Sequence, residues 1–253
     1  MLGPVAAPLR SIGAGSWLVW NALHAMVLRL IGRDPLAEHA LGLAFGEFLW
    51  SPLPRLMALA GLVGLIAGVS AAKLLSVYDA ELMVVAALVE AMLRQILPLV
   101  IGIFAAGSVS VELATRLGAM SLAHEIDALE IMGHDPVGHA LAPPSTAVLV
   151  ATPVHMVAAA LAAMLGAGLP LHLMANLPWR ELLHQSFSPA AATALLVGLA
   201  KTVLFALIAL AVGGAIGSKP VQAPGEIGRR AGSAFTIGLL GIFAAAALWT
   251  ALA

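Results

Sequence analysis

Five stretches of the chain are apolar over enough consecutive residues to cross a bilayer. They cover about residues 54–77, 82–109, 140–166, 190–217 and 231–252. A helix needs about 20 mostly apolar residues to span the hydrocarbon core, because its backbone groups must bond within the segment there. The pattern predicts an all-α integral membrane protein with about five transmembrane helices.

The composition supports a membrane protein and excludes several other classes. Of 253 residues, 61% are hydrophobic and 10% are charged, against about 45–50% and about 25% in soluble domains. A soluble protein of this size cannot bury so much apolar surface, which excludes a soluble enzyme, a nucleic-acid binder and a disordered chain. The absence of cysteine excludes a disulfide framework and cysteine-based metal sites.

A further apolar stretch, residues 11–31, lies near the N-terminus. Arg10 precedes it and Arg29 and Arg33 follow it, so a spanning helix would leave basic residues on the outer side, which they avoid. Trp17 and Trp20 are typical of residues at headgroup level. We therefore predict an N-terminal interfacial segment over 1–50 and a five-span domain over 51–253, with a spanning N-terminal helix as the alternative.

Loop charges predict the orientation. With the N-terminus inside, eight basic residues lie near the cytoplasm: Arg10, Arg29, Arg33, Arg55, Arg116, Lys219, Arg229 and Arg230. Only Lys73 and Arg180 then lie near the outer face. Because short cytoplasmic loops carry the excess of Lys and Arg, this bias predicts an N-in, C-out topology.

The longest predicted cytoplasmic loop, residues 110–139, contains a candidate docking helix. Ser121 as N-cap and Gly133 as terminator predict a helix over about 121–133. Its apolar stripe is Leu122, Ile126 and Leu129, and the acidic residues around it are Glu125, Asp127, Glu130 and Asp135. Such a helix fits a groove with basic edges on a partner. A solvated helix resting on the membrane is the alternative, although acids are poorly placed beside an anionic leaflet.

The sequence of this loop resembles a known family signature. Residues 124–144 read HEIDALEIMGHDPVGHALAPP, similar to the signature of the MlaE (YrbE) family of lipid-transporter permeases. The matching positions are Glu125, Ile126, Asp127, Ala128, Leu129, Glu130, Met132, Gly133, Asp135 and Pro136. Residues 198–205 and 225–231 also resemble family motifs, so that the likeness covers about residues 45–250.

The resemblance implies the permease subunit of an ABC-type lipid transporter in the bacterial inner membrane. It implies a homodimer bound to a separate ATPase and to a periplasmic MCE-domain protein, with a role in outer-membrane lipid asymmetry. The 121–133 segment would be the coupling helix that docks into the ATPase. No G-x-x-x-x-G-K-[ST] phosphate loop occurs in the sequence, so we expect no cofactor on this chain and ATP use by the partner.

Ionisable residues within the predicted spans form the second candidate site. Each costs at least about 2.5–3.5 kcal/mol at mid-membrane unless it finds a partner or water. Glu90 and Arg94 can neutralise each other at i, i+4, and Lys201 is expected to contact Glu90 or a lipid phosphate. We predict that Arg94, Gln95 and Lys201 lie beside a cavity for a lipid headgroup. A polar clamp that only fixes helix packing is the alternative.

The chain departs from the family pattern at several polar positions. Gln95 and Arg116 stand where the family has glutamates, and Ser108 stands where it has an arginine. The acidic residue of the family's last span is also missing, since 233–253 contains none. These departures bear on the substrate class more than on the fold.

Catalytic and metal sites are weakly supported by the sequence. His124, His134 and His139 have spacings that fit no common zinc ligand set. Thr193, Thr202 and Ser233 lack an evident His–Asp arrangement that would support an intramembrane enzyme. We therefore predict a transport subunit rather than an enzyme, with no metal site. A membrane scaffold for an MCE-type protein, without transport of its own, is the principal alternative.

Overall fold

The computed structural model describes residues 16–17, 19–21, 24, 35–75, 81–133 and 136–252. Within these ranges the protein is helical and contains no strand. The α-helices are α1 (Pro35–Phe45), α2 (Leu53–Leu75), α3 (Glu81–Ala91), α4 (Leu97–Ala105), α5 (Val111–Leu122), α6 (Glu125–Ile131), α7 (Pro136–Ala175), α8 (Trp179–Ser186), α9 (Pro189–Gly217) and α10 (Pro224–Leu252). Three π-helical segments interrupt them: π1 (Gly46–Trp50), π2 (Met92–Ile96) and π3 (Ala106–Ser110).

Five helical stretches in the described ranges are long and apolar enough to cross a membrane. They are Glu38–Leu75, Met83–Leu122, His139–Ala175, Pro189–Gly217 and Pro224–Leu252, here called spans one to five. The predicted all-α, five-span architecture is therefore confirmed, and the protein is a multi-pass membrane protein. The N-in, C-out orientation stays a prediction.

Span two is longer than its apolar run suggested. The helical path continues through π3 and α5 to Leu122, so the prediction of a loop beginning at residue 110 was wrong. Leu113 and Leu117 are buried one turn apart, and this stripe holds α5 in place although Glu112 and Arg116 lie beside it. Ser121 was predicted to cap the following helix. It lies inside α5 instead, so that prediction was wrong.

Span three runs without a break through its prolines. Pro143, Pro144 and Pro153 all lie within α7, which is one helix of 40 residues. Proline is tolerated in membrane helices because neighbouring helices and hydroxyl side chains satisfy the freed backbone groups.

Most of the predicted interfacial helix over 11–31 lies outside the described residues. The described residues between 16 and 24 are helical, and both Trp17 and Trp20 are exposed. Val19 is buried in one apolar cluster with Ala44 and Phe48. The position of the 11–31 segment at the membrane interface therefore stays a prediction.

The chain forms two compact units, of which the first contains residues up to 50, 102–151 and 203–253. In its described residues, α5 packs on the C-terminal half of α9 at two glycines. A Cβ at Gly213 would lie 2.9 Å from the Ser110 carbonyl oxygen, and one at Gly217 would lie 2.9 Å from that of Leu113. Small residues thus let the helix backbones approach closely.

The second unit contains residues 51–101 and 152–202. Here α2 and α7 approach at glycines on both helices. A Cβ at Gly64 would lie 2.0 Å from the Ala163 carbonyl oxygen, and one at Gly166 would lie 2.1 Å from that of Gly61. No side chain fits between the two backbones at these points, so the pair is held by direct backbone packing.

Candidate functional site

The polar cluster of the second unit is built on π2, which precedes a proline. Pro98 has no backbone N–H, and its ring would clash with the carbonyl four residues earlier in an α-helix, that of Arg94. The helix widens into a π turn at this point, and the Leu97 N–H bonds to the Met92 carbonyl instead. As a result, the Arg94 carbonyl oxygen is available to a donor from another helix.

Lys201 of α9 supplies that donor. Its Nζ atom donates to the Arg94 carbonyl at 3.1 Å and to Gln95 Oε1 at 2.7 Å. A close backbone approach makes this reach possible, because a Cβ at Gly198, one turn earlier on α9, would lie 2.3 Å from the Leu93 carbonyl oxygen. The prediction that Lys201 contacts Glu90 was therefore wrong, and its observed partners are two neutral oxygens.

Glu90 and Arg94 form the ion pair that their spacing predicted. Arg94 Nη1 lies 3.1 Å from Glu90 Oε1, and both side chains are about half exposed. Lys201 is only 4% exposed. The structure brings Arg94, Gln95 and Lys201 together, and within the described residues the Lys201 ammonium has no acidic partner.

An apolar cavity of about 720 Å³ adjoins π2 in the same unit. It lies between α2 and α3, and its lining includes Ala67, Ser70, Leu74, Met83, Leu88 and Ile96. Ser70 donates its hydroxyl to the Ile66 carbonyl, so that the wall is almost entirely apolar. Because Ile96 follows Gln95 in π2, the cavity and the polar cluster share one segment. A headgroup cavity beside Arg94, Gln95 and Lys201 was predicted, but these residues do not line the observed one, and its apolar lining was not predicted because such residues look like those of any span.

The candidate docking helix is shorter than predicted. Instead of 121–133 it spans Glu125–Ile131, after a turn in which His124 has a φ of 58°. His124 Nδ1 lies 3.0 Å from Asp127 Oδ2. The chain then turns at Gly133, whose φ of 76° suits glycine because it has no Cβ. Asp135 lies outside the described residues.

The surface of α6 is acidic and partly apolar. Glu125, Asp127 and Glu130 are exposed, and Leu122, Ile126 and Leu129 are half-buried. Ile131 and Met132 are 88% and 63% exposed. Sequence reasoning missed these two residues because they lie off the apolar stripe of the helix. No residue of α6 is buried, so its outer face is available for a partner.

Two of the departures from the family pattern have structural counterparts in the first unit. Arg116 Nη1 lies 3.5 Å from Glu47 Oε2, which ties α5 to π1. Ser108 donates to the Phe104 carbonyl of its own helix at 2.8 Å. The buried Ser110, which the sequence did not single out, donates to the Ala209 carbonyl of α9 at 3.0 Å.

The candidate metal and catalytic residues that the structure describes do not converge, and His134 lies outside the described residues. Among the described residues, no group of three or more His, Asp or Glu side chains is placed to hold a metal ion. Thr193, Thr202 and Ser233 each donate to a carbonyl of their own helix. These hydroxyls therefore have ordinary helix-internal roles.

Comparison with known proteins places the chain in one family. The family model described as Permease MlaE matches residues 44–252, which runs from within span one to the end of span five and includes the 198–205 and 225–231 motifs. No curated protein matches the sequence significantly. Since the matched region covers most of the chain, the protein belongs to the MlaE permease family.

Proposed function

We propose that this protein is the membrane subunit of an ABC-type transporter that moves a phospholipid or a related lipid. In this proposal the lipid passes between the bacterial inner membrane and a periplasmic MCE-domain protein. A separate ATPase supplies the energy, and the subunit works as a homodimer. One observation carries the proposal: the polar cluster and the apolar cavity both include residues of π2. The buried Lys201 ammonium lies beside this segment, and the cavity runs along it.

This arrangement matches the chemistry of a lipid. The Lys201 ammonium is held by two neutral oxygens, which leave its charge uncompensated and attractive to a phosphate oxygen. The adjoining cavity of about 720 Å³ has an apolar wall suited to an acyl chain. A polar clamp alone would explain the ammonium, but it would not explain the adjoining cavity.

The exposed helix α6 supports a partner that works from outside the membrane. Its exposed acids precede the exposed apolar residues Ile131 and Met132 at its C-terminal end, and this combination fits a groove with an apolar floor and basic edges. We assign that groove to the ATPase. In this docking, the acidic residues mainly orient the ATPase and speed its association, and the apolar residues supply the surface that is buried at the interface.

Native mass spectrometry of the protein, gently extracted from its own host, tests the proposal. We expect two copies of the chain with two ATPase subunits, an MCE-domain protein and a retained lipid. A chain that retains the MCE-domain protein but no ATPase would favour the scaffold function. A chain that retains neither the ATPase nor lipid, after controls for detergent stripping, would contradict the proposal.

Reversing the charge of two acidic residues of α6 should impair transport but leave assembly with the periplasmic partner intact. We expect the double substitution Asp127→Lys and Glu130→Lys to reduce ATPase retention by at least about tenfold, because like charges placed together cost several kcal/mol. Co-purification of the ATPase and of the MCE-domain protein measures this, and the MCE-domain protein should be retained. Glu38→Lys, which changes an exposed acid on α1, is the matched control. Equal ATPase retention by all three chains would contradict docking at α6.

A further inference from the structure

The segment that joins spans four and five lies against the last turn of α5. We call this segment, residues 218–223, the connector. The Val221 N–H donates to Ser121 Oγ at 3.0 Å. The Val221 side chain is 7% exposed, and its Cγ2 atom lies 3.5 Å from the position that a Cβ would take at Gly118. Gly118 and Ser121 are three residues apart, so both face the connector from one side of α5.

Arg230 of α10 holds the connector from its other side. Its guanidinium donates to the carbonyl oxygens of both Lys219 and Pro220, and its side chain is only 17% exposed. Glu226 accepts the Gln222 N–H at 3.4 Å and lies 3.6 Å from Arg230 Nη2. A planar guanidinium can fix two carbonyls at once, which the single ammonium of lysine does less well.

The docking helix α6 depends on the same turn of α5 for its position. It has no buried residue of its own, and the chain connects it to α5 by only two residues, Ala123 and His124. The His124 N–H bonds to the Ser121 carbonyl at 3.2 Å, and the Ala123 N–H bonds to the Ala119 carbonyl at 2.9 Å. Ser121 therefore bonds through its backbone to His124, which immediately precedes α6, and through its side chain to the connector.

We infer that the connector transmits displacements of α6 to spans four and five, with Arg230 and Ser121 as positioning residues. The inference rests on the proposed function, in which an ATPase moves α6. Span four ends at the connector and span five begins after it, so a stiff connector moves the ends of both. A six-residue segment without these bonds would bend and absorb the displacement.

The test compares Arg230→Ala with Arg229→Ala in the complete complex reconstituted into vesicles. Arg229 is the matched control, since it neighbours Arg230, is 77% exposed and contacts Glu226 at 3.7 Å. We expect both variants to assemble with the ATPase and to hydrolyse ATP within about twofold of the wild type. Lipid moved per ATP should fall about fivefold or more for Arg230→Ala alone, in line with typical coupling between sites. Equal transport per ATP in both variants would overturn the inference.

A distance measurement tests the stiffness of the connector without the ATPase. Because the chain has no cysteine, spin labels can be placed at Glu130→Cys and Gln222→Cys, both exposed positions. We expect a narrow distance distribution in the wild type and in Arg229→Ala, and a broad one in Arg230→Ala. Identical distributions would overturn the inference. Should Arg230→Ala fail to fold, Ser121→Ala, which removes one hydrogen bond, takes its place in both experiments.

The two measurements also separate this inference from the proposed function. A wild-type chain that binds no ATPase and moves no lipid would contradict the proposed function alone. The label distances would then decide whether the connector is stiffened by Arg230.

Discussion

Replacing Gly64 by alanine should lower the free energy of unfolding by about 1–3 kcal/mol, the usual cost of overpacking a tight contact. The added Cβ would lie 2.0 Å from the Ala163 carbonyl oxygen and 2.7 Å from its Cα atom. These are backbone atoms, which cannot rotate away as a flexible side chain can. Helices α2 and α7 must therefore separate, and the packing around Gly68 and Gly166 is lost with them.

Gly61→Ala is the matched control for this prediction, one turn earlier on the same helix. Its Cβ would meet only the Ala162 carbonyl oxygen at 3.6 Å, an ordinary contact. Alanine is also the better helix former by about 0.5–1 kcal/mol, so this variant should unfold at the wild-type temperature or above. Thermal unfolding of both variants in detergent measures the difference. Equal midpoints for the two would contradict direct backbone packing at Gly64.

Lys201→Met should reduce lipid transport by at least about tenfold, since a hydrogen bond to a charged group contributes about 1.5–3 kcal/mol. The substitution keeps an unbranched apolar stem but removes the donor to the Arg94 carbonyl and to Gln95. Transfer of a labelled phospholipid by the reconstituted complex measures the effect. Lys73→Met, at an exposed lysine near the end of α2, removes the same charge elsewhere and should transfer lipid normally.

A second substitution separates lipid binding by this cluster from helix packing. Gln95→Glu keeps an oxygen acceptor for Lys201 and gives the ammonium an anionic partner. If the cluster only clamps the helices, this change should leave transport intact. If the ammonium binds a lipid phosphate, the new carboxylate competes with that phosphate and transport should fall while the protein stays folded. Wild-type transfer by both Lys201→Met and Gln95→Glu would rule out the lipid-binding role.

The spans could be predicted from the sequence because apolar length alone decides whether a helix can cross lipid. The end of span two could not, since Glu112, Thr115 and Arg116 interrupt the apolar run. What extends the helix is the buried stripe of Leu113 and Leu117, which becomes visible only when α9 and α10 pack beside it. The same burial places Ser121 within α5 instead of at a helix start.

The polar cluster shows where sequence reasoning succeeds and where it stops. Charge and spacing identified the Glu90–Arg94 pair, because residues four apart on a helix are neighbours. Glu90 was predicted as a partner of Lys201 because the two side chains have opposite charges. The observed partners are the Arg94 carbonyl and Gln95. The local signal was Pro98, which frees the carbonyl of Arg94 four residues earlier. The cavity beside π2 depends on how α2 and α3 pack, and no local pattern reports that.

The π turns make chain length a constraint in span two. Each π turn holds one residue more than an α turn, so closing the same residues of 106–110 into an α-helix would rotate everything beyond them by about 100°. Ser110, which now donates to the Ala209 carbonyl, would then face elsewhere, and the buried Leu113 and Leu117 would turn with it. Span two should accept many single substitutions on its exposed face, whereas the loss of one residue from an α-helical part would rotate the residues beyond the deletion away from their present partners.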